Sequence, residues 1–430
     1  RTPDGQAVNI GNTQARFTDD RGIYRIYGLM AGTYVVAAGG PDQSNSSESV
    51  FGFDVPTYAP GANRETAAEI SVRLGDEVTD VDIRYRNERG RVISGDVTVP
   101  ADSHRGFSVM LTTGEEAGSQ YGETFYRSED KRGFVFKGVA DGDYSLFAQS
   151  YSQEGEMAVS EPKQVTVQGT DVTGVQLATK LLGVVSGRVV LEATKVAECD
   201  NKENPLSTET LVFALHKNDE AAKQVPKLIR SRAEPGRPDE KGDFLLRNLV
   251  PGAYYFGPNL RVRQWYIDSI TFGPPPNAAT KAKQVDATRV WTNIKTGDRL
   301  SGLTIALAHG GVTLRGQYDL PSGERTPAGS FLYLVPAERE KAIDVLRFFT
   351  TPIERNGSFE LNNIAPGRYW VLAQMGNENS VATSAKIQLP HESETRAQIR
   401  REAEAAKIEI EFKPCQDIVN FRLPLKSQDK

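Results

Sequence analysis

One sixteen-residue block occurs four times: DDRGIYRIYGLMAGTY (19–34), EDKRGFVFKGVADGDY (129–144), DEKGDFLLRNLVPGAY (239–254) and ERNGSFELNNIAPGRY (354–369). The copies align without gaps, and their closing tyrosines Tyr34, Tyr144, Tyr254 and Tyr369 are separated by 110, 110 and 115 residues. Solenoid repeats have periods of roughly 20–50 residues, so this spacing marks tandem domains instead. A second recurrence closes each unit: VTDVDI (78–83), VTGVQL (172–177), LSGLTI (300–305) and IVNFRL (418–423). Gly75, Gly169 and Gly297 precede the first three; near the fourth stand Pro414 and Cys415. The expected units are 1–86, 87–180, 181–309 and 310–430. Unit 1 has too few residues ahead of its block, so about two opening strands are expected to be missing from it.

Each block reads as β structure. An acidic cluster with a nearby glycine builds a hairpin turn, because carboxylates accept from backbone N–H groups and glycine supplies positive φ. A period-two strand follows. Tyr24, Phe134, Phe244 and Phe359 share a face with Ile26, Phe136, Leu246 and Leu361. Gly32, Gly142, Gly252 and Gly367 make a second turn before the tyrosine. A Gly-x-Tyr step into a strand predicts a tyrosine corner, with the phenol bonded back to the turn and the ring packed inward. Insertions lengthen unit 3 at AECDNKENP and HKNDEAAKQVPKLIRS, and a short helical insert is expected in this unit as well. Helical inserts are expected in unit 4 at 336–349 and 391–408, the latter with a solvated face and pairs Glu392/Arg396 and Arg400/Glu404 at i,i+4 spacing. The linkers are a few residues long, which predicts contacts between neighbouring units.

Composition narrows the function. Fifty-one basic against 56 acidic residues leave a net charge of -5, without the basic stripe that nucleic acid binding requires. No apolar run reaches the ~18–20 residues of a membrane-spanning helix. Four histidines and two cysteines exclude a four-cysteine zinc module and disfavour imidazole-rich sites. The chain opens at Arg1 with a polar stretch, so a segment addressing the protein is expected upstream.

The pattern D-x-x-G-x-[FY]-x-[ILF]-x-x-[ILV]-x-x-G-x-Y, as it stands at 19–34, 239–254 and 354–369, resembles the carboxypeptidase regulatory-like domain. Unit 2 fits from Phe134 onward, with Gly133 as its turn glycine. The resemblance implies an all-β chain of four prealbumin-like Greek-key sandwiches. It also implies an extracytoplasmic protein of the bacterial envelope or secreted type. The module accompanies metallocarboxypeptidase catalytic domains, which raises the question of a zinc site. His391 and Glu394 form His-x-x-Glu, but His391 is the last histidine, so the third ligand is absent. His104, His216 and His309 lie in separate contexts, and no Gly-x-Ser-x-Gly elbow or phosphate-binding loop is present. The acidic pairs Asp19/Asp20, Glu129/Asp130 and Asp239/Glu240 recur at one structural place, which favours turn building over calcium. No catalytic residue, metal or cofactor is therefore expected.

The expected role is a non-enzymatic scaffold, spacer or protein-interaction element. The alternative is glycan binding through aromatics that face away from the cores. Val35, Ser145, Tyr255 and Trp370 hold that outward position, and Trp265, Tyr266 and Trp291 lie nearby. Trp370, Tyr255 and Trp265 are the candidate sugar platform; the competing reading buries them between units or under the inserts. Cys199 and Cys415 are either one disulfide joining units 3 and 4 or two separate thiols.

Overall fold

The acidic residue that opens a block folds the chain back on itself. In unit 1 the Asp19 carboxylate accepts from the N–H of Arg21 and Ile23; in unit 3 Asp239 accepts from Lys241 and Asp243. In unit 4 the Asn356 side chain takes this part at Ser358. Gly22, Gly242 and Gly357 close these turns at φ of 80°, 85° and 87°. The chain was built as a computed structural model. It describes residues 17–40, 53–61, 63, 66–101, 103, 106–113, 119–126 (backbone only), 133–192, 199, 204–206, 210–217, 225, 229, 233–273, 284–320, 324–376 and 393–423.

The architecture is all-β with one α-helix among the described residues. Three units share one three-stranded core. In unit 2 the first strand, Arg91–Thr98, pairs antiparallel with the block strand Gly133–Val139 and parallel with the closing strand Val172–Leu181. In unit 3 the same roles fall to Gly183–Leu191, Asp243–Leu249 and Arg299–His309. In unit 4 they fall to Val312–Tyr318, Ser358–Ile364 and Asp417–Leu423. In unit 2 the tyrosine strand Gly142–Tyr151 joins the same sheet through Met157–Ser160, which pairs with the closing strand; in units 3 and 4 a second sheet carries the tyrosine strand and faces the core. It runs 211–216, 252–259, 292–294 in unit 3 and 349–352, 331–336, 367–374, 409–412 in unit 4.

Alternation buries the inner faces. Unit 2 packs Ile93, Phe134, Tyr144 and Leu177 together; unit 3 packs Val185, Phe244, Tyr254 and Leu303; unit 4 packs Leu314, Phe359, Tyr369 and Phe412. These are separate apolar clusters, each stabilising its own unit by removing side chains from water. All four tyrosine corners form. The phenols of Tyr34, Tyr144, Tyr254 and Tyr369 donate to the carbonyls of Met30, Ala140, Val250 and Ala365 at 2.6–2.9 Å.

Unit 1 differs. Its described residues form only two short pairs, Gly32–Tyr34 with Ile70–Val72 and Ala37–Ala38 with Thr57–Tyr58. One further expectation needs narrowing: segment 336–349 forms no α-helix, since Pro336 ends the strand Phe331–Pro336, and its helical content is two short 3-10 helices at Arg339–Lys341 and Val345–Arg347. Asp344 caps the second turn at Leu346, and the buried Val345 and Phe348 hold the segment against the sheet, which an exposed helix would not do. The second insert forms the helix Ser393–Ala406 with the solvated face expected of it, and its other face packs on the sheet. Ile399 and Ala403 are buried on the outer face of unit 4, and Arg400 donates to the carbonyls of Pro336 and Ala337 rather than pairing across the helix surface. Glu392 and most of the unit 3 insertion lie outside the described residues.

Candidate functional site

The features that set this chain apart from a string of independent cores lie at the joints between units. They begin with backbone shape. The tenth place of each block is Gly28, Gly138, Asn248 or Asn363, and each sits at positive φ, between 59° and 77°. In units 2–4 the ladder to the first strand shifts register beside it, so the residue forms a bulge. Glycine and asparagine are the residues that tolerate this conformation. At the bulge the block approaches its neighbour. In unit 2 the bulge glycine lies against the incoming linker: a Cβ on Gly90 would collide with Gly138.

In units 3 and 4 the bulge carries an amide that binds the preceding unit. Asn248 accepts from the N–H of Met157 in unit 2 at 2.9 Å. Asn363 donates to the carbonyls of Val262 and Trp265 in unit 3, both at 2.7 Å. Charge reinforces both joints. Glu156 of unit 2 is buried and takes both arms of the Arg299 guanidinium from unit 3. Arg347 of unit 4 donates to the Ile267 carbonyl at 3.0 Å, approaches Asp268 at 3.4 Å and lies over the Tyr266 ring. Apolar packing completes the 2–3 joint: Met110, Phe147, Met157 and Val159 of unit 2 meet Leu182, Val225, Ile229 and Val250 of unit 3. The unit 3 insertion thus contributes Val225 and Ile229 to its neighbour's outer face.

Cys199 and Cys415 are bonded to each other in the structure, with Cα atoms 5.4 Å apart, tying unit 3 to unit 4. Cys415 stands three residues before its closing element, as Gly75, Gly169 and Gly297 do before theirs, and shares their positive φ at 59°. It therefore occupies the glycine place itself rather than lying near it. A side chain in this region costs about 1–2 kcal/mol, accepted here where the thiol reaches its partner. His309 brings a ring nitrogen within 4.8 Å of both sulfurs. Sulfurs bonded to each other are not thiolates and offer a metal no strong ligand.

The sequence-predicted aromatics do not make an open platform. Trp265 (8% exposed) belongs to the unit 3 core and lies beside His309; Tyr255 (6% exposed) is covered by Trp291 at 3.9 Å. Trp370 faces away from its core as expected, but it packs in the cluster formed with Ile399 and Ala403 of the helix. Tyr255 and Trp370 share one reason, since the face that alternation turns outward is covered by a neighbouring element, whereas Trp265 points into its own core. His216 lies edge-on to Tyr254, while His104 and His391 fall outside the described residues. Asp19 and Asp239 spend their carboxylates on turn N–H groups, and the Ile23 N–H holds the Asp19 carboxyl below its ordinary value. Burial, helped by Asp54, pushes the Tyr85 phenol up to about 12.

Sequence reasoning missed Asn248, Asn363, Glu156, Arg299 and Arg347. The Gly/Gly/Asn/Asn column at the tenth place was a readable sign of positive φ. The partners, on other units, had no sequence signal.

No family model matches this chain, and no curated protein matches it. Among solved structures, the Bacillus anthracis TIE protein aligns over 96% of this chain and 66% of its own, at 10% identity and TM-score 0.19. A putative polysaccharide binding protein (DUF1812) from Bacteroides thetaiotaomicron covers 40% of this chain and 72% of its own, at 7% identity and TM-score 0.23. BcpA, the major pilin subunit of Bacillus cereus, covers 78% and 98%, at 10% identity and TM-score 0.18. This chain thus spans just under two thirds of the first of these. Likenesses at such scores assign neither a family nor an activity. Among the described residues no helix is long and apolar enough to cross a membrane.

Proposed function

We propose that this chain is a non-enzymatic, extracytoplasmic scaffold of four sandwich modules, of the carboxypeptidase regulatory-like kind, that holds interaction surfaces at set spacing. The observation that carries the reading is the joint between units 3 and 4. A spacer with free linkers needs no Asn363 bridge, no Arg347 clamp and no Cys199–Cys415 bond. A disulfide of this kind also favours an oxidising compartment outside the cytoplasm. The partner is a protein or a cell-surface glycan. Glycan binding through Trp370, Tyr255 and Trp265 would need three exposed rings, whereas Tyr255 and Trp265 are buried and Trp370 is half-buried against the helix, which supports the scaffold reading ahead of it.

Small-angle scattering of the oxidised chain tests this. The expected profile fits a single arrangement of units 3 and 4. Mild thiol reduction combined with Arg347→Ala and Asn363→Ala broadens the distance distribution while each unit keeps its own circular dichroism. Equal breadth before and after would mean that the joint does not set the spacing.

A further inference from the structure

Three donor atoms suited to a soft metal meet at the joint between units 3 and 4, each from a different stretch of chain. The sulfurs of Cys199 and Cys415 and a ring nitrogen of His309 all lie within 4.8 Å of one another, and all three residues are half-buried. Cys199 comes from the unit 3 insertion. His309 ends the unit 3 closing strand Arg299–His309, and Cys415 sits in the turn before the unit 4 closing strand Asp417–Leu423.

Two of the three are held together without the disulfide. The N–H of Cys415 donates to the carbonyl of Gly310, the residue after His309, at 3.0 Å. Gly310 and Gly311 both donate to the Gln264 carbonyl, at 2.7 and 2.8 Å, which anchors the chain as it leaves His309. The imidazole stands opposite Trp265 in the strand register, 4.9 Å from its ring, so the indole limits how it can turn. Asn363 of unit 4 in turn donates to the Trp265 carbonyl. Opening the S–S bond therefore leaves His309 and Cys415 side by side and releases Cys199 alone.

The opened set fits a tetrahedral zinc ion. With Zn–S bonds of about 2.3 Å, two ligating sulfurs stand about 3.8 Å apart. Cα atoms 5.4 Å apart admit that separation by rotation about the Cα–Cβ bonds. An imidazole ligand must come to about 3.5 Å from each sulfur, and the His309 nitrogen starts within 4.8 Å of both. Two thiolates and an imidazole select a soft cation over Mg2+ or Ca2+, which take oxygen ligands.

We propose that Cys199, Cys415 and His309 form a zinc site that opens when the disulfide is reduced. A dithiol reductant breaks the S–S bond, gives each sulfur one hydrogen and leaves as its own disulfide. Zn2+ then binds both sulfurs with release of their two protons; the His309 nitrogen takes the third position and water the fourth. Because the ligands belong to both units, the bound ion links them as the disulfide does, and the joint has one covalent and one metal-held form.

The test uses the full chain, reduced with a phosphine, freed of it and titrated with Co2+ as an optical substitute for Zn2+. The reduced chain should bind one Co2+ with a thiolate-to-cobalt charge-transfer band and release it to Zn2+; the oxidised chain should show no such band. His309→Ala should weaken Co2+ binding at least about tenfold, since losing a ligand costs no less than losing a ligand's own hydrogen-bond partner. Cys199→Ser should weaken it further. If either variant disturbs the joint, X-ray absorption of the unaltered, reduced, zinc-loaded chain decides, with two sulfurs and one imidazole expected around the metal. No charge-transfer band in the reduced chain, an equal band in the oxidised chain, unchanged affinity in a folded His309→Ala chain, or a zinc shell lacking imidazole would each overturn the proposal.

Discussion

Four tyrosines make one bond in different degrees of shelter. Tyr369 and Tyr254 are fully buried with their acceptors Ala365 and Val250, whereas Tyr34 is half-exposed. Tyr369→Phe leaves a buried carbonyl without its donor and should cost about 1–3 kcal/mol. Tyr34→Phe, with water at hand, should cost under about 0.5 kcal/mol. Urea unfolding followed by unit-specific hydrogen exchange separates the two. Cys415 gives a second residue-scale prediction. Cys415→Gly and Cys415→Ser both remove the disulfide, but only glycine suits φ 59°. Cys415→Gly should be the more stable by about 1 kcal/mol, read from the unfolding midpoint under oxidising conditions. The tyrosine corners and acidic turns were legible because they are local, closing over four residues or fewer. The Asn363 bonds to Val262 and Trp265 were not, because their partners lie about a hundred positions away.

Among elements, the glycine-centred first strand matters most. Gly187→Ala places a Cβ against the Leu303 carbonyl and the Phe244 ring, both of them immobile core groups. We expect about 1–3 kcal/mol of destabilisation from overpacking, confined to unit 3. The check is differential exchange at 243–249 and 299–309 with unit 2 unchanged. Helix assignment shows why element reading succeeded fully once and in part once. Residues 393–406 are rich in Glu, Arg and Ala, good helix formers, and a helix is what they make. Residues 336–349 contain similar charges, but Pro336 belongs to a strand, and buried Val345, Phe348 and Arg347 are set by the surfaces they meet. Propensity has no access to that.

At the scale of the whole molecule, acid should loosen the chain in a definite direction. The Arg188 guanidinium holds the Asp243 carboxyl below its ordinary 3.8, and Lys341 holds Glu338 below 4.5. Glu360, beside Arg315 and Arg263 of unit 3, is held low chiefly by the Asn362 amide. Groups depressed in the folded state bind fewer protons there than when unfolded. Their stabilisation is therefore present above the ordinary carboxylate range and is lost as pH falls through their lowered values. A thermal midpoint that is flat from neutrality to about pH 5 and falls below pH 4 is expected. High salt should shrink the fall, because these groups are exposed and screened.

The sequence by itself determined the repeating all-β plan. Alternating apolar residues, turn glycines, acidic caps and the recurring tyrosine act over a few residues, so their pattern is written along the chain. It also marked Cys199 and Cys415 as the two residues with the chemistry to join units, while leaving open whether they do. Only the tertiary structure decided what each outward face meets: Trp370 under the helix, Tyr255 under Trp291, Glu156 in the fork of Arg299. Burial of an outward residue depends on which distant surface arrives to cover it. Alternation says which way a side chain points and carries no information about the neighbour that will be waiting there.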